Sequence, residues 1–187
     1  MITEIRNSYW VVPGLIAAGP FPGALEVITY KIRLSTIFDT GIRAFINLQE
    51  PGEMSKSKYD FIEDYSQHFR IFLEKNSEKE VSGGLMRRFP ITDKDVPSVE
   101  LMKKILDEID RLKTDGIPIY IHCWGGIGRT GTVVGCWLMR HSLAERNNVL
   151  DKIFDLRRFQ VEPSCMAYNS PETEIQERFI LNWKKED

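Results

Sequence analysis

Apolar residues along the chain fall into short runs separated by amphipathic stretches. Strand-like runs occur at Tyr9–Val12, Arg43–Leu48, Phe69–Leu73, Arg88–Ile91 and Ile117–Ile121. Between the last two, Val99, Met102, Ile105, Leu106, Ile109 and Leu112 recur at helical spacing. Lys103, Lys104, Asp107, Glu108 and Arg111 take the opposite face. Ser98 is a suitable N-cap for this helix, Pro97 precedes it and Gly116 ends it. Further helices are expected at Leu25–Phe38, Val149–Arg158 and Pro171–Trp183, and another beginning near Gly128 and running through Val133, Val134, Trp137 and Leu138. Strands alternating with helices predict an α/β fold: a mostly parallel central sheet with helices on both faces. Residues 74–85, with Asn76-Ser77-Glu78-Lys79-Glu80 and Gly83-Gly84, read as a solvated surface loop.

With 187 residues and no repeat, low-complexity tract or linker, the chain is expected to form one domain over 1–187. Lys+Arg 25 against Asp+Glu 27 leaves a net charge of −2, which gives no pull toward nucleic acid or a membrane surface. No apolar run approaches the roughly 18 residues of a membrane span, and the N-terminus lacks a signal-peptide layout. Three cysteines, with no CxxC or Cys/His spacing for zinc, fit a reducing, cytoplasmic setting. No metal or cofactor is expected.

The most informative stretch is His122-Cys123-Trp124-Gly125-Gly126-Ile127-Gly128-Arg129-Thr130-Gly131, placed where the strand at 117–121 gives way to a helix. A short loop wrapping a dianion must aim several backbone N–H groups inward, and Gly125, Gly126 and Gly128 permit the tight, partly left-handed path. The helix N-terminus adds partial positive charge and unpaired donors. Arg129 supplies a planar fork for two phosphate oxygens. The same surroundings favour a thiolate, because a cation or helix N-terminus lowers a cysteine pKa from about 8.5 to roughly 3.5–7.5. Cys123 is thus placed for in-line attack on phosphorus. The Thr130 hydroxyl is expected to bond the sulfur and assist its departure. His122 is expected to orient the loop through its ring nitrogens rather than act as a base. The competing reading, a buried structural thiol with Arg129 a surface charge, leaves the glycines, Thr130 and the strand-to-helix setting unexplained.

The motif His-Cys, five residues, Arg, Thr resembles the signature of the cysteine-dependent protein tyrosine phosphatase superfamily, most closely its small dual-specificity-like branch. Trp10–Leu15 through Gly19-Pro20 resembles that branch's opening strand. Gly41–Leu48 resembles the next core strand, and Ser170-Pro171-Glu172-Thr173 with Gln176 and Phe179 its last helix. The resemblance implies a general acid on an upstream loop, four residues before a proline. Asp93 meets this with Pro97, and Asp95 is the rival. It also implies that Gln176 positions the hydrolytic water, the alternative being a solvated helix residue. In relatives acting on inositol lipids, lysines flank the loop at the positions of Trp124 and Ile127. Their apolar character here disfavours such substrates and points to a monophosphate ester on a protein. The short chain shows no phosphotyrosine-recognition loop of the larger tyrosine-specific relatives, which implies a shallow pocket for phosphotyrosine and also phosphoserine or phosphothreonine, with tyrosine-only activity the alternative. Trp124 either packs against the core or lines the rim. Removal of phosphate from a small molecule or lipid is the alternative reading. Arg157 and Arg158 are expected on an exposed helix end, where cations are favoured, with contact to an acidic substrate the other reading. Cys136 reads as a core residue; whether Cys165 can trap an oxidised Cys123 as a disulfide is left open, because distance along the sequence decides nothing.

Overall fold

The computed structural model describes residues 7–23, 27–53, 65, 85–158, 160–161, 163–167 and 169–184. Five strands form one sheet: β1 (Tyr9–Val12), β2 (Ile16–Gly19), β3 (Ala44–Asn47), β4 (Leu85–Arg88) and β5 (Ile119–His122), in the spatial order β1-β2-β5-β3-β4. The pairs β2–β5, β5–β3 and β3–β4 are parallel, and β1 runs antiparallel to β2. The described helices are α1 (Val27–Asp39), α2 (Val99–Thr114), α3 (Gly128–Arg140), α4 (Val149–Arg158) and α5 (Glu174–Asn182), with a 3₁₀ turn at Pro163–Ala167.

Alternation along the strands sorts side chains to two cores. Ala44, Ile46, Ile119 and Ile121 face one side, where α2, α3, α4 and α5 contribute Ile105, Leu106, Val133, Val134, Ile153 and Ile180. Phe45 and Tyr120 face the other side and pack with Leu34, Ile37 and Phe38 of α1. Both faces are therefore covered, as the strand–helix alternation requires. Helix α3 is the most enclosed, packing against α2, α4 and α5, and every residue from Gly128 to Leu138 is buried. Helix α2 begins as expected: the Ser98 hydroxyl accepts the Leu101 N–H at 3.1 Å.

Two differences from the sequence reading have clear causes. The opening segment is a hairpin rather than a single strand: Leu15 N–H donates to Val12 O at 3.0 Å across Pro13-Gly14, with Gly14 at φ +71°. Pro followed by a left-handed glycine is the chemistry of a type II turn. The strand expected at Arg88–Ile91 is displaced to Leu85–Arg88. Beyond Arg88 the backbone still donates from Phe89 to Asn47 O and from Ile91 to Leu48 O, but Pro90 has no N–H and interrupts the ladder. The expected strand Phe69–Leu73 and the loop expected at 74–85, apart from Leu85, lie outside the described residues, as does the side chain of Cys165.

Because β2, β3, β4 and β5 are parallel, their carboxyl ends open on one edge of the sheet. Four segments meet there: residues 20–23 after β2, 48–53 after β3, 89–96 after β4 and the loop 123–127 after β5. Ligand sites of open α/β sheets form at this edge.

Candidate active site

The loop 123–127 is a cup whose carbonyls are tied outward. His122 Nδ1 donates to Cys123 O at 3.1 Å, and Phe21 N–H donates to Trp124 O at 2.9 Å. Asn7 Nδ2 donates to Gly125 O at 2.7 Å, and the Ser170 hydroxyl donates to Ile127 O at 2.9 Å. In a trans peptide the N–H points opposite to the C=O. Anchoring these four carbonyls outside the loop turns the N–H groups of residues 124, 125, 126 and 128 to its inside. Among the described residues, the N–H groups of Gly125, Gly126, Ile127 and Gly128 reach no protein acceptor. Helix α3 starts at this point with no side-chain cap on Ile127, although its first turn is buried. A buried, uncapped helix start with inward amides has the donors and partial positive charge that suit an anion. Of the three loop glycines, only Gly126 has a positive φ (+70°), and a Cβ there would lie 2.2 Å from Gly19 C.

Cys123, 3% exposed, lies on a cleft of about 360 Å³ lined also by Asp93, Lys94, Trp124, Gly125, Ile127, Gly128, Arg129 and Glu172. Arg129 is 1% exposed. Glu53 grips it end-on, with Nη1 donating to Oε2 at 2.6 Å and Nη2 to Oε1 at 2.7 Å. Nη1 also donates to Ile91 O at 3.0 Å, and Nη2 lies 2.9 Å from Asp93 Oδ1. The Nε–H is buried and has no partner among the described residues. One edge of the guanidinium is therefore held by protein, while the Nε edge remains for an incoming oxygen. Burial pushes the Glu53 carboxyl up. The hydrogen bond and charge of Arg129 outweigh it, helped by the Glu50 backbone and the Gln49 amide, and hold it below the usual carboxylate range.

Asp93 and Asp95 are separated by their surroundings. Asp93 lines the cleft and touches Arg129. The Asp95 carboxylate accepts the neighbouring Val96 N–H at 2.8 Å and does not line the cleft. Between them Lys94 takes φ +62°, uncommon for a residue with a Cβ, and turns the two side chains apart. The start of α5 latches this loop: the Thr173 hydroxyl donates to Lys94 O, and Gln176 Nε2 donates to Asp95 O at 3.1 Å. Gln176 is fully buried, and its Oε1 accepts the N–H groups of Glu172 and Thr173 in a capping box. It is neither solvated nor loose, and its amide approaches the Cys123 loop at Gly128.

His122 is buried and neutral. Its Nδ1 donates to a carbonyl, so Nε2 is the acceptor and the Tyr65 hydroxyl donates to it at 2.5 Å. Burial draws its pKa down to about 3 against the Cys123 carbonyl, which favours the charged form. A base role near neutrality is thus disfavoured.

Two sequence expectations need correction. The Thr130 hydroxyl is buried but has no hydrogen-bond partner among the described residues, so the bond to Cys123 is not made here. Arg157 is not on an exposed helix end: it is 1% exposed and its Nη2 donates to Asn7 Oδ1 at 2.8 Å. Arg158 does face solvent, 3.3 Å from Asp155. Trp124 lines the rim, 44% exposed, stacked on Phe21 with ring centroids 6.1 Å apart. Glu53, Tyr65 and Asn7 had no sequence signal, since each acts only through a fold contact between 57 and 118 residues away along the chain. Among the described residues no group of three or more His, Cys, Asp or Glu is placed to hold a metal, and no helix is long and apolar enough to cross a membrane.

Comparison with known proteins agrees with this geometry. The uncharacterized protein MJECL20 of Methanocaldococcus jannaschii is 35% identical over 96 residues, 51% of this chain and 57% of that protein. The dual specificity protein phosphatase CDC14B of Mus musculus is 39% identical over 49 residues, 26% of this chain and 10% of that protein. The chain spans just over half of the first relative and a small part of the second. Among solved structures, Tk-PTP in the active form matches with a TM-score of 0.67 at 24% identity, over 96% of this chain and 97% of that one. PTPMT1 in complex with PI(5)P matches with a TM-score of 0.59 at 18% identity, over 93% and 94%. The core catalytic domain of the PP-IP phosphatase SIW14 from S. cerevisiae matches at 0.59 and 22%, over 98% and 88%. These likenesses are of fold. The model of the family described as "Polymorphic toxin system, DSP-PTPase phosphatase" matches residues 24–143, which include Asp93 and the whole Cys123–Thr130 loop. The chain belongs to that family and, through it, to the cysteine-based protein tyrosine phosphatase superfamily.

Proposed function

We propose that the chain hydrolyses phosphomonoesters on proteins, phosphotyrosine and also phosphoserine or phosphothreonine, through a phosphocysteine intermediate. The observation that carries the reading is the buried, uncapped start of α3 joined to a loop whose amides face inward around Cys123. The Cys123 thiolate attacks phosphorus as the bond to the leaving oxygen breaks, and Asp93 gives that oxygen its proton. Arg129 spreads its Nε and Nη2 donors over the developing charge. For Asp93 to reach the leaving oxygen, the phosphate must displace it from Arg129. Water then attacks phosphorus, Asp93 takes its proton and the S–P bond breaks. The unpartnered Thr130 hydroxyl is available to turn onto the departing sulfur. Gln176, at the loop and latched to the acid segment, is the residue for positioning that water.

The apolar rim of Trp124 and Ile127 supports a protein monoester over a multiply charged headgroup. A small-molecule or lipid phosphate is the second reading, favoured by Lys94, which lines the cleft and carries its ammonium 3.9 Å from Glu172. The deciding experiment is phosphate release from matched phosphotyrosine and phosphothreonine peptides, a phosphoinositide and a nucleotide monophosphate, with Cys123→Ser as control. Preference for the peptides supports the first reading, and preference for the lipid or nucleotide replaces it with the second. Substantial turnover by Cys123→Ser refutes the mechanism itself.

A further inference from the structure

Arg157 closes the last turn of α4 and is among the largest fully buried side chains of the protein. A buried guanidinium costs several kcal/mol unless its donors are well placed. One of them, Nη2, goes to Asn7 Oδ1 at 2.8 Å, while the other end of the same amide, Nδ2, goes to Gly125 O at 2.7 Å. The chemistry dictates the orientation of this amide. A guanidinium only donates and a carbonyl only accepts, so the Asn7 oxygen must face Arg157 and its nitrogen must face the loop. Asn7 is itself 7% exposed and sits at φ +67°, a left-handed conformation that asparagine adopts more readily than most residues. A cation on the amide oxygen polarises the group and strengthens donation from its nitrogen.

We propose that Asn7, held by Arg157, is a positioning residue for the phosphate cup. By drawing Gly125 O to the back of the loop, it turns the Gly125–Gly126 peptide so that the Gly126 N–H faces the phosphate oxygens. The inference rests on the phosphatase reading, because it assigns a donor of the phosphate site. Asn7 never touches substrate, and its effect passes through one peptide plane. Gly126 is in turn pressed on the Gly19–Pro20 backbone, so the peptide is held from both sides.

A residue that merely staples the N-terminal segment to α4 would alter stability and the fraction of active protein, but not the affinity of the folded site. Two variants separate these roles. Asn7→Asp keeps an oxygen for Arg157 and tolerates the left-handed backbone, but presents no donor to Gly125 O. Asn7→Gly keeps the backbone and removes both bonds. For each, the thermal midpoint, kcat and KM on a phosphotyrosine peptide, and the inhibition constant of inorganic phosphate are measured at one pH. Losing a correctly aimed donor to a charged group is worth roughly a tenfold or greater rise in KM and in the phosphate inhibition constant, in both variants. Asn7→Asp should show this with a midpoint close to that of the wild type. Unchanged phosphate inhibition in both variants, with losses confined to the midpoint and kcat, would overturn the proposal and leave the phosphatase reading intact. A wild-type protein that neither releases phosphate nor is inhibited by it would overturn both.

Discussion

Glu53→Gln tests the support of Arg129, the proposed phosphate binder, while keeping the shape of the side chain. In the wild type, Glu53 receives both terminal nitrogens of Arg129, at 2.6 and 2.7 Å, with the arginine 1% and the glutamate 18% exposed on their side chains. Breaking a buried ion pair by removing one partner costs about 3–5 kcal/mol. Arg129 keeps its contacts to Ile91 O and Asp93, and Glu53 retains some water, so the loss at neutral pH is about 2–3 kcal/mol. In a chain of this size 1 kcal/mol moves the melting midpoint by about 2–4 °C, so the variant should melt about 4–12 °C lower. The pH dependence has a definite sign. The folded carboxyl lies below its ordinary value of 4.5, so its contribution is fully present above that value and is lost as the pH falls through the lowered one. Urea unfolding of both proteins across a pH series, followed by tryptophan fluorescence, should show the full gap near neutrality and a closing gap in acid. Equal midpoints at neutral pH, or a gap that persists undiminished to the lowest pH at which the wild type folds, would refute the ion-pair argument.

Asp93→Asn should slow hydrolysis of esters with poor leaving groups by about 10²–10⁴ while sparing good ones; a leaving-group series in which Asp95→Asn shows that pattern instead would move the acid to Asp95. His122, with its pKa near 3 against about 6.5 unfolded, stays neutral in the folded state, so stability should fall as pH drops from about 6.5 toward 3. An NMR titration showing its ring protonating between pH 5 and 8 would contradict this. Tyr65→Phe leaves His122 Nε2 without its donor and should cost about 1–3 kcal/mol in chemical denaturation. Gly126→Ala places a Cβ 2.2 Å from Gly19 C and 2.4 Å from Pro20 N, both backbone atoms, so kcat/KM should fall by about 10² or more as the amides move. Near-normal kcat/KM in that variant would show that the cup tolerates displacement.

Much of this was legible along the chain because it depends on near neighbours in sequence. The stripe of α2 follows the helical period from Met102 to Leu112, and its Ser98 cap lies three residues from the amide it receives. The cup is likewise a ten-residue statement, since glycine freedom, the helix start and the Cys123-to-Arg129 step are local properties. The hairpin at Pro13-Gly14 carried its own turn signal. The interruption at Pro90 was also written in the sequence, although the apolar pairs around it masked the shift of β4.

What only the tertiary structure decided is the set of partners that each loop residue meets. Arg129 takes Glu53 from 76 residues away, His122 takes Tyr65 from 57, and Gly125 takes Asn7 from 118. Whether an arginine such as Arg157 ends in water or beneath the active site depends on how α4 seats against β1, and nothing in its own helix records that. The same holds for the surroundings of Asp93, which the proline spacing favoured, and of its rival Asp95: the fold sets the first against Arg129 and turns the second toward Val96. Sequence alone determined the fold class and the position of the cup, because period, turn preference and motif spacing act over a few residues. The long-range contacts arise only when parallel strands bring their carboxyl ends to one edge, and that pairing is settled by the packing of the whole chain.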